Sequence, residues 1–163
     1  MKTYIQIGAN IGNDDFQRLI ERIDERIKLI LVEPNSDMLD ELSNNYKCLK
    51  DKHEIIIISQ PISPTGGNVD LYLRTDIKYF GGASLINRKS YSLNVIRTVT
   101  TITFNKLCED FSINEVECLS IDTEGLDYEI LNSIDLSKVN IKTIFFEYWI
   151  FDNDDSNEIY RTG

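Results

Sequence analysis

Positive charge is scarce in this chain: 17 lysines and arginines stand against 27 aspartates and glutamates, a formal net charge of −10 at pH 7. A field of that sign repels phosphate backbones and anionic headgroups, so no nucleic acid and no membrane is expected as the main partner. A small or neutral substrate fits better. Cysteine is scarce too: Cys48, Cys108 and Cys118 are odd in number and form no C-x-x-C pair, which indicates neither a disulfide framework nor a zinc knuckle. Reduced thiols in a cytoplasmic setting are the simplest reading, and no metal is expected. The lone histidine, His53, lies among Lys50, Asp51 and Lys52 just before a strand, where a solvated loop role is expected and a Ser-His-Asp hydrolase is disfavoured. No apolar run approaches a membrane helix in length, and Met1-Lys2-Thr3-Tyr4-Ile5 is strand-like rather than a targeting segment.

What is present is ordinary globular material. The 163 residues suffice for one domain with a real core, and 42% hydrophobic with 27% charged residues is close to the globular average. A strand from Lys2 to Ile7 ends in Gly8, and Asp14 to Arg26 carries Phe16, Leu19, Ile20 and Ile23 at helical spacing. The unit repeats: Lys28 to Glu33 is an apolar strand, Ser36 is placed to cap a helix turning Met38, Leu39, Leu42 and Tyr46 inward, and a third strand runs from Ile55 to Ser59. Strands apolar on both faces, alternating with helices of a dozen residues, predict a parallel sheet covered on both sides.

Between about residues 61 and 98, Pro61, Pro64, Gly66, Gly67, Gly81 and Gly82 surround a short strand, Val69 to Leu73, and a long loop. This reads as an irregular insertion within a single domain spanning 1–163. Alternation resumes with strand Val99 to Phe104, helix Asn105 to Phe111, strand Glu117 to Ile121, helix Leu126 to Ile134 and strand Thr143 to Phe146. After Trp149 too little follows for the strands that usually complete such sheets, so a truncated or minimal version is expected.

Ligands of open parallel sheets sit outside the carboxyl ends of the strands, which directs attention to Gly8 to Gly12, Glu33-Pro34-Asn35, Ser59-Gln60, Asp122 to Gly125 and Glu147. Gly8 permits a sharp turn and close approach, and Gly12 lets the following helix pack near it. Alone, such glycines are more often plain turn residues. Glu33 shifts that balance, because it ends the second strand 25 residues after Gly8, where a carboxylate can accept from both hydroxyls of a ribose. Together they indicate an adenosine-containing cofactor. In Ile121-Asp122-Thr123-Glu124-Gly125-Leu126-Asp127, helix capping accounts for one acid at a strand mouth, but not for both Asp122 and Glu124.

Gly8-Ala9-Asn10-Ile11-Gly12, Val32-Glu33-Pro34-Asn35 and Ile121 to Gly125 with Glu129-Ile130-Leu131 resemble the ordered motifs of FkbM-type methyltransferases, and Ile144-Phe145-Phe146-Glu147 resembles that family's next strand. Gly82-Ala83-Ser84-Leu85 and Val99-Thr100-Thr101-Ile102 are weaker matches. The resemblance implies an α/β fold with a Rossmann-like class I methyltransferase sheet, mostly parallel with helices on both faces. It also implies S-adenosylmethionine as cofactor and methylation of a hydroxyl on a sugar or other small molecule. Carried onto this chain, it places cofactor contacts at Gly8, Ala9, Asn10 and Gly12, with Asn10 near the methionine carboxylate. Glu33, its loop shaped by Pro34, takes the ribose, and Gln60 lies near the adenine edge. Asp122 or Glu124 would accept the hydroxyl proton while the other, with Asp122 also a cofactor contact, holds the cofactor's amino group; Glu147 is a third candidate base. Gln6 departs from the family, which usually has an acid there.

Two other readings stand beside this one. A non-catalytic or weakly active binding module with the same fold would account for Gln6 and the early end. An NAD-dependent oxidoreductase would share the ribose acid, but the chain lacks a fuller glycine fingerprint and a suitably placed Tyr-x-x-x-Lys. Tyr79 and Phe80 are placed to meet a substrate, whereas Phe145, Phe146, Tyr148, Trp149 and Phe151 read as core and subunit contact, consistent with a homo-oligomer.

Overall fold

A computed structural model of the protein describes residues 1–74, 83–86 and 93–146. The first apolar run forms strand β1 (Thr3–Ile7), buried throughout, and helix α1 (Asp15–Glu21) follows. Strand β2 (Lys28–Val32) leads through a 3-10 turn into helix α2 (Leu39–Asn45), and a second 3-10 turn precedes strand β3 (Glu54–Ile58). Three strands then depart from the alternation: β4 (Gly67–Arg74), β5 (Ala83–Ser84) and β6 (Leu93–Thr101). Helix α3 (Phe104–Asp110), strands β7 (Glu115–Val116) and β8 (Cys118–Ile121), helix α4 (Asp127–Asn132), and strands β9 (Asn140–Ile141) and β10 (Ile144–Phe146) complete the described chain.

The main sheet has five strands in the order β10-β8-β1-β2-β3, every pair parallel. Period-two alternation divides its core into two. Ile5, Ile7, Ile30, Val32, Leu119 and Ile121 face Phe104 and Leu107 of α3 and Ile130 of α4. Tyr4, Leu29, Leu31 and Cys118 face Phe16 and Ile20 of α1 and Leu42 of α2. Strand residues pointing either way are thus mostly apolar, the pattern of a sheet with helices on both faces. Burial pushes the thiols of Cys108 and Cys118 up to about 12 and about 11, so neither is a reactive thiolate, and Cys48 is exposed.

Several elements differ from the sequence reading. The helices are six or seven residues long, not a dozen, because five-residue strands leave only a short return path. Leu19 lies outside the short inward stripe of α1 and is 37% exposed. The residue capping the first 3-10 turn is Asn35, whose Oδ1 accepts the Asp37 N–H, and not Ser36. The insertion is less irregular than expected: β4, β5 and β6 form an antiparallel sheet of their own, with β6 occupying part of the anticipated loop. The small parallel pair β7–β9 was not anticipated. Phe145 and Phe146 are exposed on β10, the outermost described strand, rather than in the core. Tyr79, Phe80, Glu147, Tyr148, Trp149 and Phe151 lie outside the described residues. Among the described residues no helix is long and apolar enough to cross a membrane.

His53 is buried, not solvated. The Leu49 carbonyl accepts the N–H groups of both Lys52 and His53, which tightens the turn and carries the ring under the domain. Desolvation, reinforced by the charges of Lys52 and Arg26, holds its pKa below the ordinary 6.5. The unfolded chain therefore binds this proton more readily than the folded one, and the stability tied to a neutral His53 is present above pH 6.5 and lost as pH falls. Urea unfolding of wild type and His53→Gln should show a stability difference that shrinks from pH 7.5 towards pH 5; a pH-independent difference would contradict the buried neutral ring.

Candidate active site

From β1 the sheet grows through β2 to β3 on one side and through β8 to β10 on the other. The loops leaving β1 and β8 consequently diverge and open a crevice at their carboxyl ends. Gly8 is required there: its φ is +84°, and a Cβ would lie 1.7 Å from the Asp122 carbonyl oxygen. Gly12 serves packing. At φ +69°, a Cβ would come within 2.5 Å of the Tyr46 ring and 2.7 Å of Leu42, so this glycine admits the end of α2 rather than the helix that follows it directly.

Four N–H groups of the turn are bonded, three of them to the end of β2. Gly8 and Ala9 both donate to the Val32 carbonyl, Gly12 donates to the Ala9 carbonyl, and Asn10, in the left-handed region at φ +47°, donates to Glu33 Oε2 at 2.7 Å. Glu33 Oε1 accepts the Asn35 N–H, also at 2.7 Å. A single carboxylate, 5% exposed, thereby joins the loops after β1 and β2. Desolvation raises its pKa, and the bonds from Asn35 and Asn10 only partly oppose that rise. Each oxygen retains a lone pair, so the group is short of donors.

The loop after β8 holds Glu124 at φ +57° and Gly125 at φ +123°. Its organiser is Asp127, a residue to which the sequence reading gave no role. The buried Asp127 carboxylate accepts the Thr123 N–H at 3.2 Å, the Thr123 hydroxyl at 2.9 Å and the Gly125 N–H at 3.3 Å, while Thr123 Oγ1 accepts from Leu126. Leu126, at the N-cap position of α4, makes no side-chain cap. An acid at the first helical position, four residues after a threonine, was the available signal.

These loops surround an open cleft. Of the anticipated residues, Gly8, Asn10, Glu33, Pro34, Asp122 and Glu124 line it together. Ala9 is buried in the core, Gly12 is packed as described, and Gln60 is half-buried and absent from the lining. The wall near Gln60 is made instead by Pro61 and Ile62, with Leu71, Ala83 and Leu85 from the insertion and Thr123 beside the acids. Among the described residues no three histidine, cysteine, aspartate or glutamate side chains converge as a metal site.

The insertion is fastened over this cleft at three places. Ser84 donates to the Glu124 carbonyl at 3.1 Å, and Arg97 reaches Ser36 Oγ at 3.0 Å and Asp37 at 3.8 Å. At its base, the buried Ser63 and Thr101 hydroxyls lie 2.6 Å apart. Opposite sides of the crevice are thus tied to one small sheet. Because Asp127 holds the acid loop with three bonds, Asp127→Ala should lose about 2–3 kcal/mol in urea unfolding, with a smaller loss for Asp127→Asn. Wild-type stability in Asp127→Ala would show that the carboxylate does not hold this loop.

No curated protein and no solved structure matches the chain significantly. The family model described as Methyltransferase FkbM domain matches residues 6–160, a span that includes the glycine turn, Glu33, the insertion and the Asp122 to Gly125 loop. With that match covering nearly its whole length, the chain belongs to the FkbM methyltransferase family.

Proposed function

We propose that this chain is an S-adenosylmethionine-dependent O-methyltransferase acting on a hydroxyl of a sugar or other small molecule. The observation that carries the cofactor assignment is Glu33: a buried, donor-poor carboxylate on the cleft wall, suited to the paired hydroxyls of a ribose. Pro34, Pro61, Ile62 and Leu71 provide an apolar wall on which an adenine could rest. The glycine turn favours this reading over a dinucleotide. A pyrophosphate needs free backbone N–H groups at a helix N-terminus; here four turn N–H groups are already bonded, and α1 begins with Asp14 at its cap and Asp15 in its first turn.

When bound, the cofactor supplies an electrophilic methyl group on a sulfonium. The chain's own contribution is alignment and proton removal. Asp122 and Glu124 line the cleft, and either carboxylate could take the acceptor's hydroxyl proton as the methyl is presented to the oxygen. Glu147 remains a further candidate base. Ser84, bonded to the Glu124 carbonyl, holds that segment in its left-handed conformation.

Calorimetric titration should show S-adenosylmethionine and S-adenosylhomocysteine binding and NAD not binding. Glu33→Gln, which retains one acceptor oxygen and places an amide N–H against a backbone donor, should weaken both sulfur ligands at least about tenfold. Because burial raises the Glu33 pKa, wild-type affinity should decline with falling pH before an ordinary glutamate would titrate. A folded chain that binds neither sulfur ligand refutes the proposal.

A further inference from the structure

Antiparallel pairing sets Arg97 of β6 directly opposite Leu71 of β4. Residues so paired share one face of their sheet, and the buried Leu71 lines the cleft. Arg97 therefore leaves the insertion on its cleft-facing side. Its guanidinium fork ends on the turn after β2, with Nη1 donating to Ser36 Oγ at 3.0 Å and Nη2 lying 3.8 Å from Asp37 Oδ2. From there a chain of bonds runs inward: the Asp37 N–H donates to Asn35 Oδ1 at 3.2 Å, and the Asn35 N–H donates to Glu33 Oε1 at 2.7 Å. The Met38 N–H closes the same turn on the Asn35 carbonyl at 3.0 Å. Asn35 and Glu33 are buried, whereas the Arg97 contact is exposed. An exposed contact of this kind adds little to global stability, but it ties the turn that carries Glu33 and Pro34 to the sheet that supplies Leu71, Ala83 and Leu85.

We propose that Arg97 is a positioning residue for ribose recognition: by holding Ser36 and Asp37 it keeps the Asn35 N–H on one oxygen of Glu33 and the carboxylate turned to accept a ligand's paired hydroxyls. The inference rests on the adenosyl-cofactor reading and extends it from the main sheet to the insertion. Among the described residues Arg97, Ser36 and Asp37 lie outside the cleft lining, so they act through Glu33 rather than on the ligand.

The test compares S-adenosylhomocysteine with its 2′-deoxy analogue, by calorimetry on the full chain, with thermal unfolding measured in parallel. Wild type should bind the parent at least about tenfold more tightly, because the analogue forfeits a charge-assisted bond to Glu33. Arg97→Ala should narrow that preference to about threefold or less, while the analogue's affinity and the melting temperature stay as in wild type. Ser36→Ala combined with Asp37→Ala removes the same contact from the other side and should reproduce the loss. Adding Arg97→Ala to that pair should take away nothing further. An undiminished preference in Arg97→Ala would make its contact incidental and overturn the proposal. Equal weakening of both ligands would reduce Arg97 to a general brace of the wall, which also overturns it. Equal affinities in wild type would remove the ribose from Glu33, and with it any role for Arg97 there. Failure of wild type to bind either ligand would instead defeat the adenosyl-cofactor reading.

Discussion

The Glu33 carboxylate, accepting one backbone N–H from Asn10 and another from Asn35, is the contact on which the crevice depends. It fixes the β1 loop against the β2 loop in a left-handed conformation that asparagine tolerates better than most residues. It does so at a desolvation cost that the two bonds leave partly uncompensated, as the raised pKa records. The same shortage that makes this carboxylate expensive to bury makes it an effective acceptor for a ligand's hydroxyls. Site architecture and site chemistry thus have one source.

Around that centre, geometry is enforced by close approach. Gly8 passes the Asp122 carbonyl where no side chain fits, and the Asp127 carboxylate gathers the acid loop on the other side of the crevice. The antiparallel insertion ties these parts together, through Ser84 to the acid loop and through Arg97 to the turn after β2. The insertion therefore acts as part of the wall, contributing Leu71, Ala83 and Leu85 to the cleft.

Much of this was legible in the sequence because it rests on local signals. Continuous apolar strands announced a parallel sheet covered on both faces, and glycines with Glu33 at a fixed spacing announced the crevice. What depended on tertiary partners was not legible. Glu33 was read only as a ligand contact, since nothing in a sequence shows that Asn10 and Asn35 turn their N–H groups onto it. His53 was assigned to solvent from its charged neighbours, yet bonding to Leu49 draws it inward. Gln60 occupied the expected strand-end position, but the chain turns so that Pro61 and Ile62 form the wall. Leu93 to Thr98 read as loop because its pairing with β4 is long-range.

The central claim, that the crevice beside Glu33 holds an adenosyl cofactor, is tested most directly by a crystal structure of the chain with S-adenosylhomocysteine. The account predicts both ribose hydroxyls within hydrogen-bond distance of the Glu33 carboxylate, with Asn10 and Asn35 still donating to it. A ligand bound elsewhere, or a ribose that leaves Glu33 to its two backbone donors alone, would contradict it.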